Sequence, residues 1–333
     1  MGAMVQGAAA VMVALVVTGC CGPGYVVAMR PDDAPTVVAR RYMDDAELYR
    51  VQGMEDAAIE SLARAIEVNP RLPEAHIELG DRYREREQYG EAERAYAHAA
   101  ALDPQSFDAV YHLALARHLR GAAGEATVIY ARALAISPDD ARAHRAVAAA
   151  HVQTGRIYEA LRHAYRAVEL EPAHQAGWSN LGAVYARLGD HEQAVEAYRR
   201  GATLGELAEG ARLGLADAHV QVGRAEMAIA VLERVVQENP DSAAAHERLG
   251  YLRYRQRDVD AALAHYRQAV AIDGQDPAAL NGVGVCLVTK WLQGGASDRA
   301  MRREAVEHWR VSLRLRPSQP RIVDLLGRYG RGM

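Results

Sequence analysis

Lysine and phenylalanine are almost missing from this 333-residue chain: Lys290 and Phe107 are the only ones, beside three tryptophans and three cysteines. Each scarcity excludes something. Cys20 and Cys21 are adjacent and Cys286 stands alone, so neither a disulfide framework nor the paired spacing of a zinc site is present. A formal net charge of −4 is too close to neutral to point to nucleic acid or to a strongly acidic substrate. The apolar run from Ala8 to Val17 is about half of the ~20 residues that a membrane-spanning helix needs.

What the chain does have is alanine, and half of its residues are hydrophobic. A core of alanine and tyrosine suits closely packed helices better than sheets, which favour β-branched and aromatic residues. The small residues also keep a register of 34. One slot holds Ala58, Ala92, Ala126, Ala160, Ala194, Ala228 and Ala262 without exception. A second holds Ala46, Gly80, Ala114, Ala148, Gly182, Ala216, Gly250 and Gly284, and a third Ala65, Ala99, Ala133, Ala167, Gly201, Val235 and Ala269. Pro70, Pro104, Pro138, Pro172 and Pro240 recur in step.

This register resembles that of the tetratricopeptide repeat family, in which each repeat is a helix–turn–helix pair. Small residues in the first two slots let the helices cross closely. Leu79, Leu113, Val147, Leu181, Leu215 and Leu249 then fill space on the first helix, with Tyr96, Tyr130, Tyr198, Leu232 and Tyr266 on the second. Gly53, Gly121, Gly155, Gly189 and Gly223 fall where a left-handed C-cap is needed, and the prolines end each second helix. A helix pair cannot bury its apolar face alone, so stacked neighbours form one continuous core.

The resemblance implies an all-α, right-handed superhelical solenoid of about eight repeats: 39–72, 73–106, 107–140, 141–174, 175–208, 209–242, 243–276 and 277–317. The eighth carries an insertion at 291–300, after which Ala305, Trp309 and Pro317 restore the pattern. Residues 318–333 read as a C-terminal cap, with Arg321 to Arg328 as a final half-repeat. The fifth repeat is nearest the family pattern (Trp178, Leu181, Gly182, Tyr185, Ala194, Tyr198), yet Gly205-Glu206 replaces its closing proline.

Ahead of the repeats, Val17-Thr18-Gly19-Cys20 resembles a bacterial lipobox. It implies a lipoprotein-type signal peptide at 1–19, lipidation of Cys20 and a flexible tether over 20–38. Such a tether would reach roughly 20–25 Å. No Lys or Arg precedes the apolar run, which departs from the usual signal-peptide charge. A plain secretory signal and a short membrane anchor are the other readings of that run.

A search for catalytic chemistry returns little. His191-Glu192 and His246-Glu247 lack the second histidine of His-Glu-x-x-His, and Gly282-Val283-Gly284 opens no dinucleotide fingerprint. There is no P-loop and no nucleophile elbow. His76, His144 and His246 share one repeat slot and His151 and His219 another, which reads as packing rather than metal ligation. The expectation is therefore no enzyme, no cofactor and no metal.

Instead, the resemblance implies a concave groove lined by the first helices that receives a protein or peptide. Carried over residue by residue, it points to Glu74, Glu78 and Asp81, then Tyr111, His112 and His118, then Arg142, Arg145 and Gln153. Asn180, Arg187, Asp217, Gln221, Arg248, Tyr251, Tyr254 and Arg255 follow; Tyr and Arg dominate binding hot spots. Tyr251 and Tyr254 read as two aromatics off the core slots. Residues 39–104 hold 15 acids and 9 arginines, whereas residues 285–333 hold 10 bases and 4 acids. The expected function is a protein-interaction scaffold of the bacterial cell envelope, lipid-anchored and facing the periplasm, without nucleic acid or a small-molecule substrate. The alternative is an accessory subunit holding a cell-wall, pilus, secretion or exopolysaccharide enzyme complex at the membrane.

Overall fold

A computed structural model describes residues 34–330, which form helices throughout, with no strand among the described residues. Cα packing divides the chain into two compact units, one through His163 and one from Ala164. The first unit holds α1 (Ala34–Val51), α2 (Glu55–Val68), α3 (Pro73–Glu85), α4 (Tyr89–Leu102), α5 (Phe107–Leu119), α6 (Ala123–Ile136) and α7 (Ala141–Gln153). The boundary falls inside α8 (Ile157–Leu170). The second unit continues with α9 (Gln175–Leu188), α10 (His191–Leu204), α11 (Glu209–Gln221), α12 (Ala225–Glu238), α13 (Ala243–Arg255) and α14 (Val259–Ile272). It closes with α15 (Pro277–Gln293), α16 (Arg299–Leu315) and α17 (Pro320–Tyr329).

The turn inside each pair explains why the helices stop where they do. Gly53, Gly121, Gly155, Gly189 and Gly223 all take positive φ, between 72° and 89°. Glu87 and Arg257 fill the same slot at φ 58° and 66°, a strain that glycine avoids. The next residue's N–H then reaches back five positions, as in Met54 to Tyr49 at 2.9 Å and Asp258 to Arg253 at 3.0 Å. This pattern caps otherwise unpaired helix carbonyls.

At the other end of each pair, a ring nitrogen holds the exit turn. Trp178 Nε1 donates to the Pro172 carbonyl at 2.8 Å. Nε2 of His76, His144 and His246 lies 3.1, 3.0 and 3.1 Å from the carbonyls of Pro70, Pro138 and Pro240. The fifth repeat exits differently. Gly205 is extended, and Leu207 is buried against Gly201, whose missing Cβ leaves the space.

The first alanine slot, Ala58 through Ala262, is completely buried at all seven positions. In the second slot, size is matched to the residue opposite. A Cβ on Gly80, Gly182 or Gly250 would sit 2.5–2.9 Å from the ring of Tyr96, Tyr198 or Tyr266, and one on Gly284 would collide with Trp309. Ala46 and Ala216 face Leu62 and Leu232 instead. Tyr130 is a ring set against an alanine, Ala114. Partners are 16 residues apart except Gly284 and Trp309, at 25. The nine extra residues lengthen α15 and α16 to 17 residues each, leaving only a short link from Gly294 to Asp298.

Two expectations about the ends are adjusted. Residues 34–38, read as tether, form the start of α1: Pro35 suits a helix's first turn, and Asn69 donates to Thr36 Oγ1 at 3.1 Å. The signal segment and Cys20 lie outside the described residues. At the far end, α17 packs on α16, with Ile322 buried and Leu325, Leu326 and Tyr329 against the same cluster.

Gly182→Ala tests the size match by its sign. In an ordinary helix interior this change stabilises by about 0.5–1 kcal/mol. Here it should destabilise by about 1–3 kcal/mol through overpacking on Tyr198. Adding Tyr198→Leu should lower that cost, as urea-unfolding midpoints of the three variants would reveal.

Candidate functional site

Within each unit, consecutive first helices lie beside one another: α3, α5 and α7 in the first, α9 with α11 and α13 with α15 in the second. Their residues that avoid the helix-pair core make up the face predicted to receive a partner.

In the first unit this face is internally bonded. Asp81 accepts from Tyr96 Oη at 2.7 Å and from Arg84 Nη2 at 3.3 Å, and His112 Nδ1 lies 3.2 Å away. Burial pushes the Asp81 carboxyl up, but its bonds with His112 and Tyr96 outweigh that and hold it below the ordinary range. Glu78 is pushed the other way by burial and by neighbouring Glu47. Tyr111 stacks on Phe107 at 5.6 Å, and the Arg142 guanidinium lies over both rings at 5.6 and 5.3 Å. Asp140 and Asp108 hold that guanidinium at 3.0 and 3.3 Å. His118 meets the Tyr130 ring edge-on and bonds Gln153, while Arg145 is half-buried and Glu74 exposed. Tyr111, His112 and Arg142 are thus brought close, but into contacts made within the chain.

The second unit carries a cavity on this face. Asp217, Gln221, Arg248 and Tyr251 line one cavity of about 470 Å³, together with Ala186, His191, Ala218, Val220, Leu232, Glu247 and Leu252. Arg248 grips Asp217 with two bonds of 2.9 Å, Nε to Oδ1 and Nη2 to Oδ2. Tyr251 is 41% exposed, and its hydroxyl accepts from Arg255 at 3.0 Å. Asn180 and Arg187 on α9 lie outside the cavity lining. Tyr254 corrects the sequence reading: it packs against the C-terminal core cluster, and its hydroxyl is 3.3 Å from Thr289 Oγ1. Sequence reasoning misses Glu247 as a site residue: its slot holds Ile77, Tyr111, Arg145, Ser179, Leu213 and Asn281 in other repeats, so an acid there carries no signal.

The periodic histidines are occupied by packing. With Nε2–H of His144 donating to Pro138, its Nδ1 is left to accept from His163 Nδ1, 2.9 Å away. His246 and His265 repeat this pair three repeats later, at 3.1 Å. Burial, with His144 and His151 nearby, pushes His163 down to about 4. Burial and His246 lower His265 likewise. Cys286 is completely buried on α15, and burial pushes its thiol up to about 12. Such a thiol is inert as a nucleophile at neutral pH.

Family models described as tetratricopeptide repeat match residues 73–106, 145–209 and 213–277. The chain carries tetratricopeptide repeats. Neither model describes a catalytic domain. Among solved structures, a tetratricopeptide repeat protein from Parabacteroides merdae is 16% identical; the match covers 75% of this chain and 99% of that one, with a TM-score of 0.60. The pilF structure from Pseudomonas aeruginosa is 22% identical, with 62% and 94% covered and a TM-score of 0.56. PilW, described as a widely conserved type IV pilus biogenesis factor, is 16% identical, with 62% and 96% covered and a TM-score of 0.56. At these identities the likeness is one of repeat fold. No curated protein sequence matches the chain.

The histidine pairs predict a pH dependence with a definite sign. His163 binds its proton near pH 6.5 when unfolded and near 4 when folded. Between those values the unfolded state holds more protons, so stability falls as pH drops through that window and is full above it. His163→Gln should flatten the slope of unfolding midpoint against pH between 4 and 6.5, relative to the parent.

Proposed function

We propose that this protein is a non-catalytic scaffold that holds a partner polypeptide against the face formed by its first helices. The observation that carries the reading is the cavity between α11 and α13. There Asp217, Gln221, Arg248 and Tyr251, residues of two neighbouring first helices, line one concave site. An aromatic and an arginine in a partly apolar concavity have the composition of a binding hot spot.

The finer reading places the scaffold in the bacterial cell envelope, lipid-anchored through Cys20 and facing the periplasm. Val17-Thr18-Gly19-Cys20 supports it, with the apolar run from Ala8 to Val17. The pilus factor among the structures of like fold is consistent with such a setting. An accessory subunit that holds an envelope enzyme complex at the membrane would use the same face.

Affinity capture from envelope extract tests the groove. Tyr251→Ala should remove a specific partner from the captured set and leave the thermal midpoint nearly unchanged, because Tyr251 lies outside the core. Identical sets would contradict the groove. For the anchor, fatty-acid labelling in cells should be abolished by Cys20→Ser, and undiminished labelling would exclude Cys20.

A further inference from the structure

The wall of the α11–α13 cavity carries two acids, Asp217 and Glu247, beside a single arginine, Arg248, whose hydrogen bonds all pass Glu247 by. Arg248 is committed elsewhere: Nε and Nη2 bond the two oxygens of Asp217, and Nη1 donates to the Ala244 carbonyl at 3.1 Å. Its approach to Glu247 stops at 4.0 Å, beyond hydrogen-bond distance. No hydrogen bond from the described residues reaches the Glu247 carboxylate, which is only 24% exposed. Burial raises its pKa; the Arg248 charge pulls the other way, but Asp276 and Asp217 add to the rise, and the net direction is up.

Around this carboxylate the cavity is built for a long side chain with a charged tip. Tyr251 lies one helical turn beyond Glu247, on the same face of α13. Ala186, Val220, Leu232 and Leu252 supply apolar wall, against which a methylene stem can lie. An anionic occupant would meet Glu247 with Asp217 and Asp276 close by, and an apolar one would remove the remaining water from a carboxylate that has no hydrogen-bond donor. A cation relieves both. Arg255 lies 5.8 Å from the Tyr251 ring centre, so the carboxylate is the main contact and the ring an additional one.

We infer that this cavity receives a lysine or arginine side chain of the partner, its charged end at the Glu247 carboxylate beside Tyr251. The inference rests on the groove reading and adds to it the chemistry of what is bound.

An array of random dodecapeptides, probed with the full chain and with Glu247→Gln and Glu247→Asp, tests it. Peptides bound by the parent should carry Lys or Arg about tenfold more often than Asp or Glu at one position. Glu247→Gln should erase that enrichment while still binding neutral peptides, and Glu247→Asp should keep it. Absence of enrichment, or enrichment that survives in Glu247→Gln, overturns the cation site and leaves the groove standing. Absence of any binding above a blank surface removes the groove and the cation site together. Equal thermal midpoints for the parent and Glu247→Gln ensure that the comparison reads charge.

Discussion

The close approach of the two helices in each pair is the constraint on which the remaining structure depends. At every crossing a fully buried alanine of the second helix meets a small residue of the first. Space is tight enough that the choice of glycine or alanine follows the partner sixteen residues later at five crossings, with Ala114 against Tyr130 the exception. Glycine lies under the rings of Tyr96, Tyr198 and Tyr266, and alanine under Leu62 and Leu232. Protein interiors pack at crystal-like density, so one methyl group is felt there. Glycine's helix-propensity cost of roughly 0.5–1 kcal/mol is smaller than the overpacking that a methyl group would cause.

Consequences run outward from that contact. Once the pair is fixed, its turn must reverse the chain in few residues, which requires a left-handed residue even where glycine is missing. The exit turn must present a carbonyl to the ring nitrogen of His76, His144, Trp178 or His246. The core thereby claims one side of each first helix and leaves the opposite side to carry chemistry. In the first unit that chemistry is largely used up on neighbours, as in the Asp81–Tyr96–Arg84 network. In the second unit Tyr251 remains exposed, and Glu247 lacks a donor.

The fold was legible in the sequence because it is periodic: seven alanines at one spacing locate seven crossings without any knowledge of contacts. Non-periodic features were harder to read. Glu87 and Arg257 adopt the left-handed turn conformation without glycine to announce it. Tyr254 reads as an aromatic off the core slots, yet it packs against the C-terminal cluster, as Ala186 and Val220 of the same slot pack against theirs. The candidate site was legible only as a face. Slot arithmetic selects the residues that avoid the core but says nothing of their partners. That Arg248 bonds Asp217 and stops 4.0 Å from Glu247 depends on distances across two helices.

The most direct measurement of the central constraint is a double-mutant cycle that builds the glycine–ring pair in a repeat that lacks it. Leu232→Tyr alone should overpack against Ala216 and lower the urea-unfolding midpoint. Ala216→Gly alone should also lower it, by loss of helix propensity and packing. Together they should recover stability well above the sum of the two losses. Simple additivity would contradict the account, because it would mean that the two positions do not share one space.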